Sequence, residues 1–219
     1  MRIVRDSVVD VERNLKGENR MVTYPENETI INCNFCSLSG INYAFPRIVR
    51  GNGPKIMFIG EAPGEEEAKH HIAFIGDSGK LLNEWISKLG LDNYVITNAV
   101  KHRPIRDDGY NGTPTIKQIQ ACVPYLFMDI DNESPDYIVI LGRTAVKSFG
   151  ELINKSSLKL FDDKDQFPDP SLRMIDIIDY TLSNNTTIFV LYHPSYILRT
   201  GYNMDSLLKR LREKLEAKR

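Results

Sequence analysis

The sequence has no run of about 18 or more apolar residues, so no membrane-spanning helix is expected. Its first residues, MRIVRDSVVDVERN, carry no apolar segment of the kind a secretory signal needs, so an intracellular, cytoplasmic protein is expected. Cysteine is scarce, with three in 219 residues, too few for a disulfide framework. Neither sign of charge dominates: 28 basic and 29 acidic residues leave a formal net charge of −1. Global charge therefore does not announce a nucleic-acid partner, although binding faces are local. No internal repeat is visible.

The composition that remains, 42% hydrophobic and 26% charged, is that of an ordinary globular protein. The length suits one domain over 1–219 better than two small ones. Residues 1–30 read as a polar, irregular extension with a short helix around Val8–Leu15. From Lys55 onward, short apolar runs alternate with helical periods. KIMFIG (55–60), YVITNAV (94–100), DYIVILG (136–142) and TTIFVLYHPS (186–195) read as buried strands, the last running into a loop. GKLLNEWISKLG (79–90), the stretch 113–133 with Thr115 as N-cap, RTAVKSFG (143–150) and a last helix from Asp205 fill the intervals. Leu207, Leu208, Leu211 and Leu215 fall at helical spacing among basic residues, as in a surface helix packed on a core. The acidic, proline-containing segment 158–180 reads as an excursion or hairpin.

This alternation predicts an α/β fold with a central, mainly parallel, four-stranded sheet covered on both faces. Functional loops in such folds gather at the carboxyl ends of the strands. Gly60–Gly64, Asn98–Arg103, Gly142–Thr144 and His193–Arg199 all follow predicted strands and are expected to share one crevice. Gly60 and Gly64 allow close backbone approach to a ligand, and Glu61 could orient a water or offset positive charge. Asn98 offers two donors and one acceptor, the set that pairs with a pyrimidine edge. His193, pinned by Pro194, is suited to donate to a developing anion, and Ser195 to Arg199 could press on a DNA backbone. Each also has a plainer reading: a tight turn with a solvated acidic patch at Glu65–Glu67, a turn asparagine, a structural loop histidine. Cys33 and Cys36, spaced C-x-x-C, with the lone Cys122, point to a metal or cluster site.

Taken in order, C-x-x-C, GEAPG with AFIG-x-SG-x-LL, TNAVK, C-x-P-Y-L, DYIVILG-x-TA and HPSYILR resemble the family 4 uracil-DNA glycosylases and the related cross-linking class called UDGX. The resemblance runs from about Cys33 to Arg199. It implies a three-layer α/β/α sandwich and a monofunctional hydrolase of uracil in DNA, single- or double-stranded. The enzyme would act as a monomer in base excision repair. It also implies that Phe74 stacks on the flipped base, Asn98 reads the uracil edge and His193 stabilises the leaving anion. Glu61, Ala62 and Gly64 would line the pocket, and Cys33, Cys36 and Cys122 would be three of four cluster ligands.

The chain departs from the family at named positions. His102 stands where the fourth cluster cysteine is expected, so a [4Fe–4S] site of Cys33, Cys36, His102 and Cys122 is expected, with Cys₃His zinc as its chemical rival. Ala68 replaces a usual aspartate, His71 a usual glycine and Ala73 a usual proline; His70 and His71 read as surface residues. The loop 104–115 has no histidine, so hydrolysis rather than covalent trapping of the sugar is expected. The rival class is a catalytically weak or inactive DNA-binding, replication-associated subunit that keeps the fold.

Overall fold

Residues 8–13, 19–24, 28–38, 40–152, 173–176 and 186–217 are described by the computed structural model. The first part of the chain contains β1 (Val8–Arg13), β2 (Asn19–Tyr24), α1 (Glu28–Ile31) and β3 (Arg47–Val49). The wound core follows as β4 (Ile56–Gly60), α2 (Glu65–His70), α3 (Asp77–Leu89), β5 (Tyr94–Asn98), α4 (Ile116–Glu133), β6 (Tyr137–Leu141) and α5 (Gly142–Leu152). The chain ends with β7 (Arg173–Asp176), β8 (Thr187–Leu191), α6 (Pro194–Thr200) and α7 (Asp205–Ala217).

The sheet order is β1-β2-β3-β5-β4-β6-β8-β7. The four apolar runs read from the sequence form its parallel centre, β5-β4-β6-β8. Antiparallel strands extend it on both sides. Every residue of β4, β5, β6 and β8 is buried, and the side chains divide by parity. Ile56, Phe58, Val139 and Phe189 pack with Trp85, Leu207 and Leu211 from α3 and α7 on one face. Met57, Ile59, Ile138 and Ile188 pack with Leu126, Ile130 and Phe149 from α4 and α5 on the other. A one-residue slip in register would exchange the two sets, and each buried Ile or Phe contributes about 1.5–3 kcal/mol, so the register is strongly specified. The result is the expected three-layer α/β/α sandwich.

Helix boundaries follow local chemistry. α3 stops at Gly90, which takes the left-handed conformation at φ +69°. Thr115 caps α4: its hydroxyl accepts from the Gln118 N–H, while the Gln118 side chain accepts from the Thr115 N–H. Two expectations are corrected. Val8–Arg13 is an edge-region strand, paired antiparallel with β2, rather than a helix. His193–Thr200 is not a loop: Pro194 at the first helical position starts α6. Within 158–180 a strand at Arg173–Asp176 pairs with β8, and the rest of that segment lies outside the described residues. Among the described residues no helix is long and apolar enough to cross a membrane.

Candidate active site

β4 lies between β5 and β6, so the crossover from β4 to β5 and the next one from β5 to β6 run in opposite directions. This topological switch opens a crevice at the carboxyl ends of the strands. Gly60 and Asn98, the last residues of β4 and β5, are paired in register there. A cavity of about 540 Å³ opens above them, lined by Glu61, Ala62, Gly64, Phe74, Asn98, His193, Ser195 and Arg199. Residues from three of the four loops thus meet as the sequence predicts. The fourth, Gly142–Thr144, supports two of the lining side chains.

Phe74 forms an apolar wall. Its ring lies against Gly60, where any Cβ would collide with it, so glycine at the end of β4 is what admits the ring. Phe74 itself sits at φ +58°, a left-handed conformation uncommon for a residue with a side chain. Such strain persists only where the surroundings impose it. Asn98 is 3% exposed, and its Oδ1 is a buried acceptor with no hydrogen-bond partner. Beneath it Lys101, 1% exposed, donates to the Asn98 carbonyl (2.6 Å), the Thr97 hydroxyl (2.8 Å) and the Asp129 carboxylate (2.6 Å). This buried, fully engaged cation pins the end of β5 to α4.

His193 is the N-cap of α6. Its Nδ1 accepts from the Ser195 N–H (3.2 Å) and lies 2.9 Å from the Ser195 hydroxyl. A nitrogen that accepts a backbone N–H carries no proton, so the proton of the neutral ring is on Nε2. Burial, with Arg199 adding its positive field, lowers the His193 pKa from 6.5 to about 4. The ring is therefore neutral at physiological pH and has one N–H to donate. It lies 5.8 Å from the Phe74 ring, centroid to centroid. Gly142, at φ +82°, lets β6 turn close beneath it, since a Cβ there would sit 2.9 Å from His193 Cβ.

Burial raises the pKa of Glu61, while the hydrogen bond from the Thr144 hydroxyl (2.9 Å) and the charge of Arg199 oppose the rise. Burial therefore makes Glu61 easier to protonate than an exposed glutamate, with Thr144 and Arg199 favouring its ionised form.

Cys122, one of the four candidate cluster ligands, lies behind this pocket. Ala62, on the pocket wall, packs on the other side against Val100, Ile119 and Cys122. His102 is 2% exposed, and its Nε2 is buried without a partner. A backbone hydrogen bond with Gly40 therefore falls to Nδ1, leaving Nε2 as a bare lone pair. Desolvation lowers the pKa of this ring, which keeps it neutral. The three cysteines form no disulfide. Two of them have an N–H donor close to the sulfur, the Leu38 N–H at 3.4 Å from Cys36 and the Lys101 N–H at Cys122, while the Tyr125 hydroxyl near Cys33 donates to the Thr29 carbonyl at 3.0 Å. Burial raises the Cys122 thiol pKa, and Cys36 and Cys33 stand near enough to add to the rise as like charges. An unpartnered imidazole nitrogen and three free thiols, two of them with an N–H donor at the sulfur, are side chains whose chemistry fits an iron–sulfur cluster. Among the described residues, no three His, Cys, Asp or Glu groups form a site for one metal ion.

Some contributors escaped sequence reasoning. Lys101 and Thr144 stand beside singled-out residues, but their roles depend on partners distant in sequence. Asn111 and Gly112, on the loop 104–115, line the cavity. The Arg103 Nε–H donates to Asn111 Oδ1 (2.6 Å). The acidic stretch 65–67 is not a turn but the first turn of α2, with Glu67 buried. His70 is exposed as expected, whereas His71 is half-buried, stacked on Tyr43 at 4.1 Å, and left-handed at φ +59°. That backbone angle is the reason glycine suits the position.

The chain is similar to known proteins. A protein 32% identical over 178 residues is named type-4 uracil-DNA glycosylase, from Pyrobaculum aerophilum, and the match spans 79% of this chain and 83% of that one. Proteins of the same name are 32% identical over 180 residues in Thermotoga maritima (81% and 83% of the two chains) and 44% identical over 126 residues in Sulfurisphaera tokodaii (55% and 54%). The family model described as the uracil DNA glycosylase superfamily matches residues 48–216. With that match spanning the parallel sheet and all the pocket-lining residues, this chain belongs to the uracil DNA glycosylase superfamily.

Proposed function

We propose that the chain is a monofunctional uracil-DNA glycosylase that hydrolyses the bond between uracil and deoxyribose and leaves an abasic site in DNA. The observation that carries this reading is the buried, unpartnered Oδ1 of Asn98 in a cavity walled by the Phe74 ring. An orphaned acceptor costs about 1–3 kcal/mol until something donates to it. The N3–H of uracil is such a donor, and the Asn98 amide can donate in turn to the neighbouring carbonyl.

The base must leave the stack, or come from a single strand, before the chemistry can begin. Phe74 then supports its face. As the C1′–N1 bond breaks, its electron pair moves onto the uracil ring and the sugar becomes oxocarbenium-like. The neutral His193 donates its Nε2–H to the developing anion, the kind of preorganised donation that lowers such barriers most. Ionised Glu61 faces the sugar side, offsets its charge and orients the water whose oxygen adds to C1′. That water's second proton passes to the carboxylate or to solvent. Ser195 holds the His193 tautomer, and the exposed Arg199 at the cavity rim meets a phosphate. The protein acts on DNA as a monomer of a single domain.

Cys33, Cys36, His102 and Cys122 would hold a [4Fe–4S] cluster. When bound, it supplies a structural tie between the start of the chain, the end of β5 and α4 rather than reactive chemistry. The support is the bare Nε2 of His102 and the N–H donors at the Cys36 and Cys122 sulfurs.

Incubation with a uracil-containing oligonucleotide followed by alkali tests the activity: strand cleavage at uracil is expected, and binding without release would favour a non-catalytic DNA-binding subunit. Iron and sulfide analysis of anaerobically purified protein tests the cluster. Four of each per chain are expected, and a colourless protein with one zinc would overturn it.

A further inference from the structure

The geometry points to Glu67 as a positioning residue that clasps the two loops of the base pocket together, an inference that rests on the base-binding reading of that pocket. Three consecutive glutamates open α2, and they diverge in the structure. Glu65 and Glu66 are exposed and pair with Lys69 at 2.9 and 3.1 Å. Glu67 is 9% exposed and turned inward. Its Oε2 accepts the Gly64 N–H at 3.1 Å, and its Oε1 accepts the Gly76 N–H at 3.0 Å. Gly64 and Gly76 are the N-caps of α2 and α3. A single carboxylate therefore satisfies an amide at the start of each helix, where negative charge is favoured, through two charge-assisted bonds.

The two amides bracket the pocket. Gly64 ends the Glu61–Gly64 wall, and Gly76 follows Phe74 by two residues. Between them the chain passes through two left-handed, non-glycine residues, His71 at φ +59° and Phe74 at φ +58°. Such a path needs external restraint. The Glu67 carbonyl adds a further tie by accepting the Ile72 N–H at 3.2 Å. Releasing the Gly76 amide frees Phe74 to leave the left-handed region, and its ring then loses its seat on Gly60. Glu67 touches no reacting atom in this account; it acts through Phe74 and the Gly64 backbone.

The test uses Glu67→Gln and Glu67→Ala with Phe74→Ala as reference. Glutamine keeps one acceptor oxygen but turns an NH₂ toward the other amide, so one tie is lost and the shape is kept. Loss of a hydrogen bond to a charged group predicts a fall in kcat/KM for uracil release of about 10-fold or more in Glu67→Gln. Inhibition by free uracil should weaken in Glu67→Ala as it does in Phe74→Ala. The double variant Glu67→Ala/Phe74→Ala should be no slower than Phe74→Ala alone, because both changes remove the same contact with the base. A general loss of stability would instead multiply the two effects, and that result overturns the proposal. So does a folded Glu67→Gln with wild-type rate and wild-type uracil inhibition. Hydrogen exchange at the Gly64 and Gly76 amides gives a readout independent of activity and of whether Glu67→Ala folds. Faster exchange at one of the two in Glu67→Gln is expected, and unchanged exchange at both refutes the clasp. Absence of uracil release from the wild-type protein would instead refute the functional reading, and the amide exchange would still decide whether the clasp exists.

Discussion

Thr144→Val removes one hydroxyl and keeps the shape of the side chain. That hydroxyl donates to Glu61 at 2.9 Å and opposes the rise that burial imposes on the Glu61 pKa. A hydrogen bond to a charged group is worth about 1.5–3 kcal/mol, and one pKa unit is about 1.4 kcal/mol. Losing the bond should therefore raise the Glu61 pKa further. If ionised Glu61 orients the water, the rate falls when Glu61 is protonated. The acid limb of the pH–rate profile should then move to higher pH. Single-turnover uracil release measured from pH 4 to pH 9 would show it. At the alkaline end Glu61 is ionised in both proteins, and their rates should converge. A uniform loss of rate at every pH would mean that Thr144 acts only on packing. An unmoved acid limb would remove Glu61 from the chemistry.

Glu61→Gln should stabilise the protein while slowing it. The folded pKa of Glu61 lies above its ordinary 4.5, so ionising it costs stability. That cost is absent below pH 4.5, grows as pH rises through the folded pKa, and is constant above it. Thermal unfolding should give Glu61→Gln a higher Tm than the wild type at pH 7 and an equal one near pH 4. For His193 the sign is opposite: its pKa falls from 6.5 unfolded to about 4 folded, so its contribution is full above 6.5 and lost as pH falls toward 4. The loss amounts to about 3 kcal/mol, and urea titrations of His193→Asn should lack it. The loop 104–115 presents Asn111 to the pocket rather than a nucleophilic histidine. A denaturing gel after reaction should therefore show no protein–DNA adduct, and a persistent adduct would contradict hydrolysis.

The parallel centre of the sheet was legible because burial on both faces demands short, continuous apolar runs, and KIMFIG and DYIVILG are such runs. Thr115 and Gly90 marked helix ends because their chemistry is local. The ordered motifs singled out Phe74, Asn98 and His193, and all three line the crevice. What was not legible depends on partners far along the chain. Val8–Arg13 is a strand because Asn19–Tyr24 pairs with it, not because of its own period. Lys101 is buried because Asp129 reaches it from α4. Glu67 differs from Glu65 and Glu66 only by its rotation about α2 and by the Gly76 amide nine residues later. The His193–Arg199 segment looked like a loop because seven residues are too few to display a helical period.

The most direct test of the account is single-turnover uracil release by the wild type and by Asn98→Ala. If the buried Oδ1 of Asn98 is the acceptor for the base, the variant should release uracil about 10²–10³ times more slowly, the cost of losing a preorganised group of this kind. Its melting temperature should fall little, since the native acceptor has no partner to lose. Wild-type rates from Asn98→Ala would contradict the account at its centre.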